Sequence, residues 1–353
     1  MSRIIQILDS YFYGDGIGNH TTALHNAFCK RNIESLIYAR FVDPRLSHIG
    51  KDISEYESRP DDTILLHLGA GSEVNRMVLN YNCRIVMNYH NITPAKFFEG
   101  YNEEAMGNCR RGMEDLQMLR DKVSCVIADS QYNASELEKM GYTCPMYSVP
   151  IIMKFDDYDQ PADQTTLAKY DKKDGITNIV FVGRIAPNKK QEDIIRDFYY
   201  YTKYYNPKSR LILAGNMQGF VKYGLRLKKY AKKLGLKNVV FPGHVRFQEL
   251  LAYYQVADVF LCESDHEGFC IPLVEAMYFG APIIAGDSSA VGETLGTGGI
   301  LLPEKNPQLA AALIDQVVSN DDLRKKMAEE QKKQLERFSP DGAVDAYVKI
   351  LLA

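Results

Sequence analysis

The stretch "DVFLCESDHEGFCIPLVEAMYFGAPIIAG", Asp258 to Gly286, reads as one unit of a parallel sheet. The apolar run at 258–262 and "PIIAG" at 282–286 flank a segment that Pro272 opens and that Gly280 and Pro282 close. Proline is tolerated in a first helical turn, where its missing N–H would have no intrahelical partner, and glycine followed by proline stops a helix. Leu273, Ala276, Met277 and Gly280 recur at helical spacing and predict its buried face. This reading puts Glu275 in the first turn and Glu267 in the loop before it, within a run otherwise poor in charge.

Similar alternation runs outward in both directions. "NIVFVG" (178–183), "RLILAG" (210–215) and "NVVFPG" (238–243) complete one half, and "RIIQIL" (3–8), "SLIYA" (35–39), "TILLHL" (63–68), "RIVMNY" (84–89) and "CVIA" (125–128) form another. Short, continuous apolar runs separated by amphipathic stretches are the pattern of parallel strands buried on both faces by crossover helices. Phe155 to Gly175 is polar and weakly periodic, which suits a linker or surface excursion. The expected fold class is therefore α/β, with two doubly wound Rossmann-like domains facing across a cleft, 1–165 and 166–340. Leu309, Leu313, Val317 and Leu323 mark the apolar faces of further helices, and a last helix follows from about Gly342 to Leu352.

Composition narrows the function. The 353 residues suffice for two ordinary cores. With 42 Lys and Arg against 45 Asp and Glu, the net charge of -3 argues against a chain built to cover nucleic-acid phosphates. The seven cysteines form no C-x-x-C pair and several sit in apolar runs, so a reducing cytoplasm is the expected location. "MSRIIQILDS" is too briefly apolar for a signal sequence and no segment reaches the length of a membrane span, which leaves peripheral contact with the inner face of the membrane as the expected form of any association. No G-x-S-x-G, H-E-x-x-H or P-loop string occurs.

A helix amino terminus following a strand presents N–H groups able to meet a diphosphate, here those of Gly268, Phe269, Cys270 and Ile271. Glu267 and Glu275 could then accept hydrogen bonds from sugar hydroxyls on either side of the phosphates, Glu267 from a hexose and Glu275 from a ribose. The bland alternative is a dipole-complementing Glu275 and a solvated Glu267. The string E-G-F-x-x-P-x-x-E-A-M-x-x-G-x-P-x-I-A, carried by 267–285, resembles the paired-glutamate segment of retaining glycosyltransferases of family 4, which have the GT-B fold. "FVGRIAPNKKQEDII" (181–195) is similar to the family's strand, loop and helix that carry an arginine and a lysine for the donor diphosphate, by position Arg184 and Lys189. Fixed cations there stabilise the charge that grows on a departing nucleotide diphosphate.

"FYGDGIGNHTTALHNAF" places Gly16 and Gly18 between a strand and a helix, but Asn19 stands where a dinucleotide fingerprint begun by Gly14 and Gly16 needs its third glycine. The loop resembles the glycine loop in the first domain of many family 4 enzymes. "VMNYHNITP" ends a strand with His90, and strand carboxyl ends are where ligands gather in open α/β sheets. In the family a histidine at this place reaches the donor sugar. His244 and Val245, in "PGHV", resemble the segment near the nucleobase, and His266 reads as a support for the loop before Glu267. Cys270 departs from the family pattern, in which glycine is common.

Other features have simpler readings. Asp157 and Asp159 have the spacing of the metal-binding pair of the other large glycosyltransferase fold, yet two carboxylates without further oxygen ligands make a poor site. "VKYGLRLKKYAKKLGLKN" reads as a helix with a basic outer face, suited to solvent or to an anionic membrane or glycan. "PAKFFEGYNEEAM", with Phe97 and Phe98, is a candidate acceptor-side surface.

The resemblance implies a metal-independent hexosyltransferase of the bacterial or archaeal polysaccharide or glycolipid type. It implies no cofactor, since the nucleotide-diphosphate sugar is a substrate, and an acceptor that is a saccharide or lipid-linked saccharide. Catalytic roles fall to His90, Arg184, Lys189 and Glu267, with no metal ligand, and the last helix (341–353) is expected to pack back on the first domain. A nucleotide-sugar epimerase of the same fold and a non-catalytic sugar-nucleotide-binding subunit are the alternatives.

Overall fold

The computed structural model describes residues 3–353. Its strands form two sheets of seven and six, parallel throughout, and the chain divides into two compact units. The first unit comprises Met1–Lys96, Glu104–Lys154 and Phe338–Ala353, and the second comprises Phe97–Glu103 and Phe155–Arg337.

In the first unit, β1 (Ile4–Tyr11), β2 (Ser35–Val42), β3 (Gly50–Asp52), β4 (Thr63–Leu68), β5 (Arg84–Tyr89), β6 (Cys125–Ala128) and β7 (Met146–Ser148) lie in the order β3-β2-β1-β4-β5-β6-β7. The strand order reverses beside β1, so β1 and β4 flank the switch point, the crevice where doubly wound sheets collect ligands. The short edge strands β3 and β7 carry no apolar run and are additions to the sequence reading. Pro340–Leu352, the carboxy-terminal helix, belongs to this unit. Its Val344, Tyr347 and Leu351 enter the same core as Leu24, Phe28 and Val86.

In the second unit, β8 (Thr177–Val182), β9 (Ser209–Ala214), β10 (Val239–Gly243), β11 (Val259–Cys262), β12 (Ile283–Gly286) and β13 (Ile300–Leu302) follow the order β10-β9-β8-β11-β12-β13, with the switch point between β8 and β11. Helix Ile271–Tyr278 joins β11 to β12 as expected. Its buried face is Leu273 to Met277, however, and Gly280 is exposed at φ +64, where it ends the helix rather than packing. The helix Pro307–Ser319 buries Ala310, Ala311, Ile314 and Val317 and leaves Leu309 exposed, a face offset from the expected one, because the small alanines admit close packing on helix Gln191–Tyr204.

The domain boundary lies at Lys154/Phe155, earlier than 165/166. Phe155 stacks on Tyr278, and Tyr158 packs against Phe247 and Phe279, so the supposed linker is anchored to the second unit by its aromatic residues. Asp157 is exposed, while Asp159 accepts a hydrogen bond from Tyr278. Residues 97–103, sequence neighbours of the His90 strand, also belong to the second unit: Phe98 is buried on Phe220, and the Lys222 ammonium donates to the Gly100 carbonyl at 2.8 Å.

Candidate functional site

The second unit gathers its candidate residues at the carboxyl ends of β8 and β11, on both sides of the switch point. After β8 the chain turns through Gly183 and Arg184 into a short 3-10 turn, Pro187–Lys189. This turn approaches the end of β9 so closely that a Cβ at Gly215 would lie 1.8 Å from the Gly183 carbonyl oxygen, which excludes every other residue there. Gln191 donates to the Arg184 carbonyl at 3.0 Å, and Lys190 holds the left-handed conformation (φ +51) that reverses the chain into helix Gln191–Tyr204.

After β11, the loop of residues 263–270 is fastened from two directions. Asn188 donates its amide to the His266 carbonyl at 3.2 Å and accepts the Asp265 N–H at 2.9 Å. Beyond β12, the Glu267 N–H donates to Ser289 Oγ at 2.7 Å, the Ala290 N–H donates to the Glu267 carbonyl at 3.3 Å, and Thr294 donates to the Phe269 carbonyl. Lys189 Nζ thereby meets both Glu267 oxygens, at 2.6 and 2.5 Å, with only 18% and 8% of the two side chains exposed. Burial pulls the Lys189 pKa down, but the Glu267 carboxylate outweighs it, so the ammonium titrates above its ordinary range. The result is a fixed, desolvated cation and a carboxylate with lone pairs to spare, beside a helix amino terminus.

Cys270 precedes that helix at φ 74, ψ 62, a left-handed conformation in which glycine would be unstrained. Phe269 and Cys270 are buried, whereas Gly268 is half-buried. Arg184 is exposed, with its guanidinium over the Phe220 ring at 5.6 Å. His244 is exposed after β10, and Val245 packs against the core. Phe97, half-buried, brings its ring to 6.3 Å from that of His266.

Glu275 differs from the sequence reading. It lies past the first turn, is buried, and its two oxygens receive the hydroxyls of Tyr158 (2.8 Å) and Tyr254 (2.5 Å). Burial pushes this carboxyl up, and the tyrosine hydrogen bonds hold it partly down. A surface depression lined by Tyr254, Asp258, Pro282 and Arg324 contains none of the candidate residues.

In the first unit, His90 immediately follows β5 within a polar network that the sequence reading did not assemble. Its Nδ1 lies 2.8 Å from Asp129 Oδ2, which fixes a donor on that nitrogen, and its Nε2 lies 3.0 Å from His67 Nδ1. His67 continues to Gln6 at 3.1 Å. His20 accepts the Ile152 N–H at Nδ1 (3.0 Å), so its Nε2–H donates to Asn88 Oδ1 (3.1 Å), which also receives the Tyr347 hydroxyl (2.7 Å). The three histidines have the spacing of a metal-ligand set, but their ring nitrogens are engaged in these hydrogen bonds. Burial, aided by the charge of His90, drives His20 down to about 3 and His67 well below the ordinary histidine range, so both rings are neutral at neutral pH.

The glycine loop is already engaged. Asp15 caps the helix Gly16–Lys30 by accepting the N–H groups of Ile17 and Gly18 at 3.1 and 3.2 Å. A Cβ on Gly18 would sit 2.5 Å from the Phe12 carbonyl oxygen, so this glycine serves the chain's own close approach. Gly16 is half-buried at the first helical position.

Sequence reasoning missed His20, His67 and Asp129, as well as Asn188 and Ser289. His67 was legible as the one titratable residue inside "TILLHL", but the others are defined only by which strand ends adjoin.

Residues 163–334 match the model of a family described as "Glycosyl transferases group 1". An uncharacterized glycosyltransferase of Methanocaldococcus jannaschii is 30% identical over 176 residues, 49% of this chain and 44% of the relative. A D-inositol 3-phosphate glycosyltransferase of Corynebacterium urealyticum is 26% identical over 289 residues, 76% of this chain and 66% of the relative. The chain thus spans about half to two thirds of the length of these curated relatives. Among solved structures, sucrose-phosphate synthase from Thermosynechococcus elongatus superposes with a TM-score of 0.79 at 15% identity, covering 99% of this chain and 98% of that one. Anabaena HepE in complex with UDP and glucose superposes with a TM-score of 0.77 at 16% identity, covering 99% of both chains. The second unit therefore carries a region similar to the group 1 glycosyl transferases, and the chain as a whole has the two-sheet GT-B fold.

Proposed function

We propose that this protein is a retaining glycosyltransferase of family 4 that moves a hexosyl group from a nucleotide-diphosphate sugar to a hydroxyl of a saccharide or lipid-linked saccharide, without a metal ion. The observation that carries the reading is the Lys189–Glu267 pair, built from loops on both sides of the switch point in the second sheet. Lys189 and Arg184 are assigned to the donor diphosphate, together with the N–H groups at the start of helix Ile271–Tyr278. Glu267 is assigned to the hexose hydroxyls, and the segment of His244 and Val245 to the base. Glu275 remains a proposed ribose acceptor, which requires it to use lone pairs beyond those taken by Tyr158 and Tyr254. The UDP complexes of Anabaena HepE support a nucleotide-sugar donor.

In the proposed reaction the bond between the anomeric carbon and the phosphate oxygen breaks, and the acceptor oxygen bonds to that carbon on the same face. The acceptor proton passes to the departing phosphate, so no protein base is needed. Lys189 and Arg184 stabilise the charge that grows on the diphosphate, and a preorganised contact of this kind contributes about 3 kcal/mol. His90 is proposed as a site residue of the first unit, with Asp129 accepting a hydrogen bond from its Nδ1–H and so fixing the orientation of the ring. Among the described residues no helix is long and apolar enough to cross a membrane. We place the protein in the cytoplasm, with membrane contact limited to a peripheral surface such as the basic helix Val221–Lys233.

Product analysis with donor, with and without saccharide acceptor and with a chelator throughout, tests the reading. Acceptor-dependent release of nucleotide diphosphate and a glycosylated product that keeps the donor's anomeric configuration is the expected result. Nucleotide release without acceptor would favour an epimerase, binding without turnover a sugar-nucleotide-binding subunit, and activity abolished by chelation would refute the metal-independent site.

A further inference from the structure

Cys262 is the last residue of β11, and Cys270 immediately precedes the helix Ile271–Tyr278. Both are free and buried, and their sulfurs and a Glu267 carboxylate oxygen all lie within 4.8 Å of one another. Neither thiol is used in the proposed transfer. The backbone does not call for a cysteine at 270 either, since a left-handed residue there would be relieved by glycine. Ser264 Oγ lies 3.5 Å from Cys262 Sγ, and the neighbouring Cys270 thiol holds Cys262 below the ordinary thiol range, whereas Cys262, burial and the Glu267 carboxylate push Cys270 well up, so Cys262 is the attacking sulfur and Cys270 the resolving thiol. Two thiolates and a carboxylate could also ligate a soft cation, but Lys189 already supplies the positive charge at Glu267.

We propose that Cys262 and Cys270 form a reversible dithiol couple that a small hydroperoxide closes to a disulfide, and that closure shuts the candidate site. One thiolate attacks the peroxide: its S–O bond forms, the O–O bond breaks, and the leaving oxygen takes a proton, giving a sulfenic acid and water or an alcohol. The second thiol then attacks the sulfenic sulfur, the S–S bond forms, and the S–O bond breaks with loss of water. Two electrons pass from sulfur to peroxide, and reduction by a thiol reverses the step. Burial admits hydrogen peroxide more readily than a bulky disulfide. Closing to a bond of about 2.05 Å draws Cys270 toward β11 and carries with it the start of the helix and the loop of Glu267. The effect on turnover rests on the proposed glycosyl transfer, whereas the existence of the couple does not.

The test exposes the folded full chain to hydrogen peroxide, alkylates remaining thiols, and cleaves at glutamate. Because Glu263 and Glu267 separate the two cysteines, closure yields two fragments that stay linked until reduced. Linked fragments are the expected result; full alkylation of both residues after exposure, or a sulfinic acid on either without linkage, would overturn the couple. Nucleotide-sugar turnover of the oxidised protein should fall about tenfold or more and return with dithiothreitol, while in Cys262→Ala the ratio of treated to untreated rate stays near one. Complete linkage with unchanged turnover would overturn closure of the site. If the reduced protein turns over no nucleotide sugar, the proposed function fails, and the linkage alone decides the couple.

Discussion

A double-mutant cycle on Lys189 and Glu267 probes the energetics of the site. At 2.6 Å and an effective dielectric of 20, the attraction between the two charges is about 6 kcal/mol, most of which is offset by taking them out of water. Lys189→Met keeps the aliphatic stem and leaves a buried carboxylate alone, and Glu267→Gln keeps the shape and leaves a buried ammonium alone. Each should cost about 3 kcal/mol, because an unpaired buried charge has lost its compensation. The double variant should lose less than the sum, with a coupling of about 2 kcal/mol or more. Native-state hydrogen exchange of the β8 and β11 amides reads this within the second unit. Far-ultraviolet circular dichroism supplies the global check, since the chain contains no tryptophan. A coupling below about 0.5 kcal/mol would mean that the pair is a solvated surface contact, and the reasoning that a desolvated cation is held ready for a diphosphate would fail.

Arg184→Ala and Glu267→Ala should each lower transfer at least about a hundredfold with native circular dichroism retained; near-normal kcat/KM in either purified variant refutes its assigned role. Acid should weaken the first unit. His20 binds a proton below about pH 6.5 when unfolded but stays neutral down to about pH 3 when folded, so it removes about 1.4 kcal/mol per pH unit, or about 2 kcal/mol by pH 5, and His67, also held neutral by burial, acts in the same direction. Exchange protection of β4 and β5, corrected for intrinsic rates, should fall accordingly, and a flat profile contradicts the neutral buried rings. Glu263 has the opposite sign: burial, reinforced by Asp197, raises its carboxyl to about 9, so the folded state holds a proton that the unfolded state has released. Stability of the second unit should therefore decline as pH rises from about 4.5 toward 9, and Glu263→Gln should flatten that decline in urea unfolding, with an unaltered slope as the refuting result.

The strands of both sheets were legible because parallel strands buried on two faces leave continuous apolar runs, as at 63–68, 84–89 and 125–128. The edge strands β3, β7 and β13 were not: β3 and β7 carry no apolar run, since an edge needs backbone pairing more than apolar side chains, and the three residues of β13, Ile300–Leu302, are too few to stand out as one. The Phe155–Asp159 segment reads as polar by composition, while its placement is decided by two aromatic rings on Tyr278 and Phe247. The family resemblance of 181–195 marked Arg184 and Lys189, the paired-glutamate spacing marked Glu267, and a strand-end position marked His90. Spacing does not reveal that Lys189 and Glu267, 78 positions apart, neutralise one another, or that Asp129 and His67 hold His90. Those contacts follow from strand order, which brings the ends of β8 and β11, and of β4, β5 and β6, side by side. At Glu275 the spacing does not reveal that two tyrosines from elsewhere in the chain each donate to one of its oxygens, taking one lone pair on each.

The most direct test is thermal unfolding of the purified chain and of Lys189→Ala across a panel of uridine, guanosine, thymidine and adenosine diphosphate sugars, with NAD as a control, because a ligand bound only by the folded form raises the midpoint as its concentration exceeds Kd. The account predicts a concentration-dependent rise with at least one diphosphate sugar, diminished in Lys189→Ala, and none with NAD. A rise with NAD alone, or an equal rise in both proteins, would contradict it.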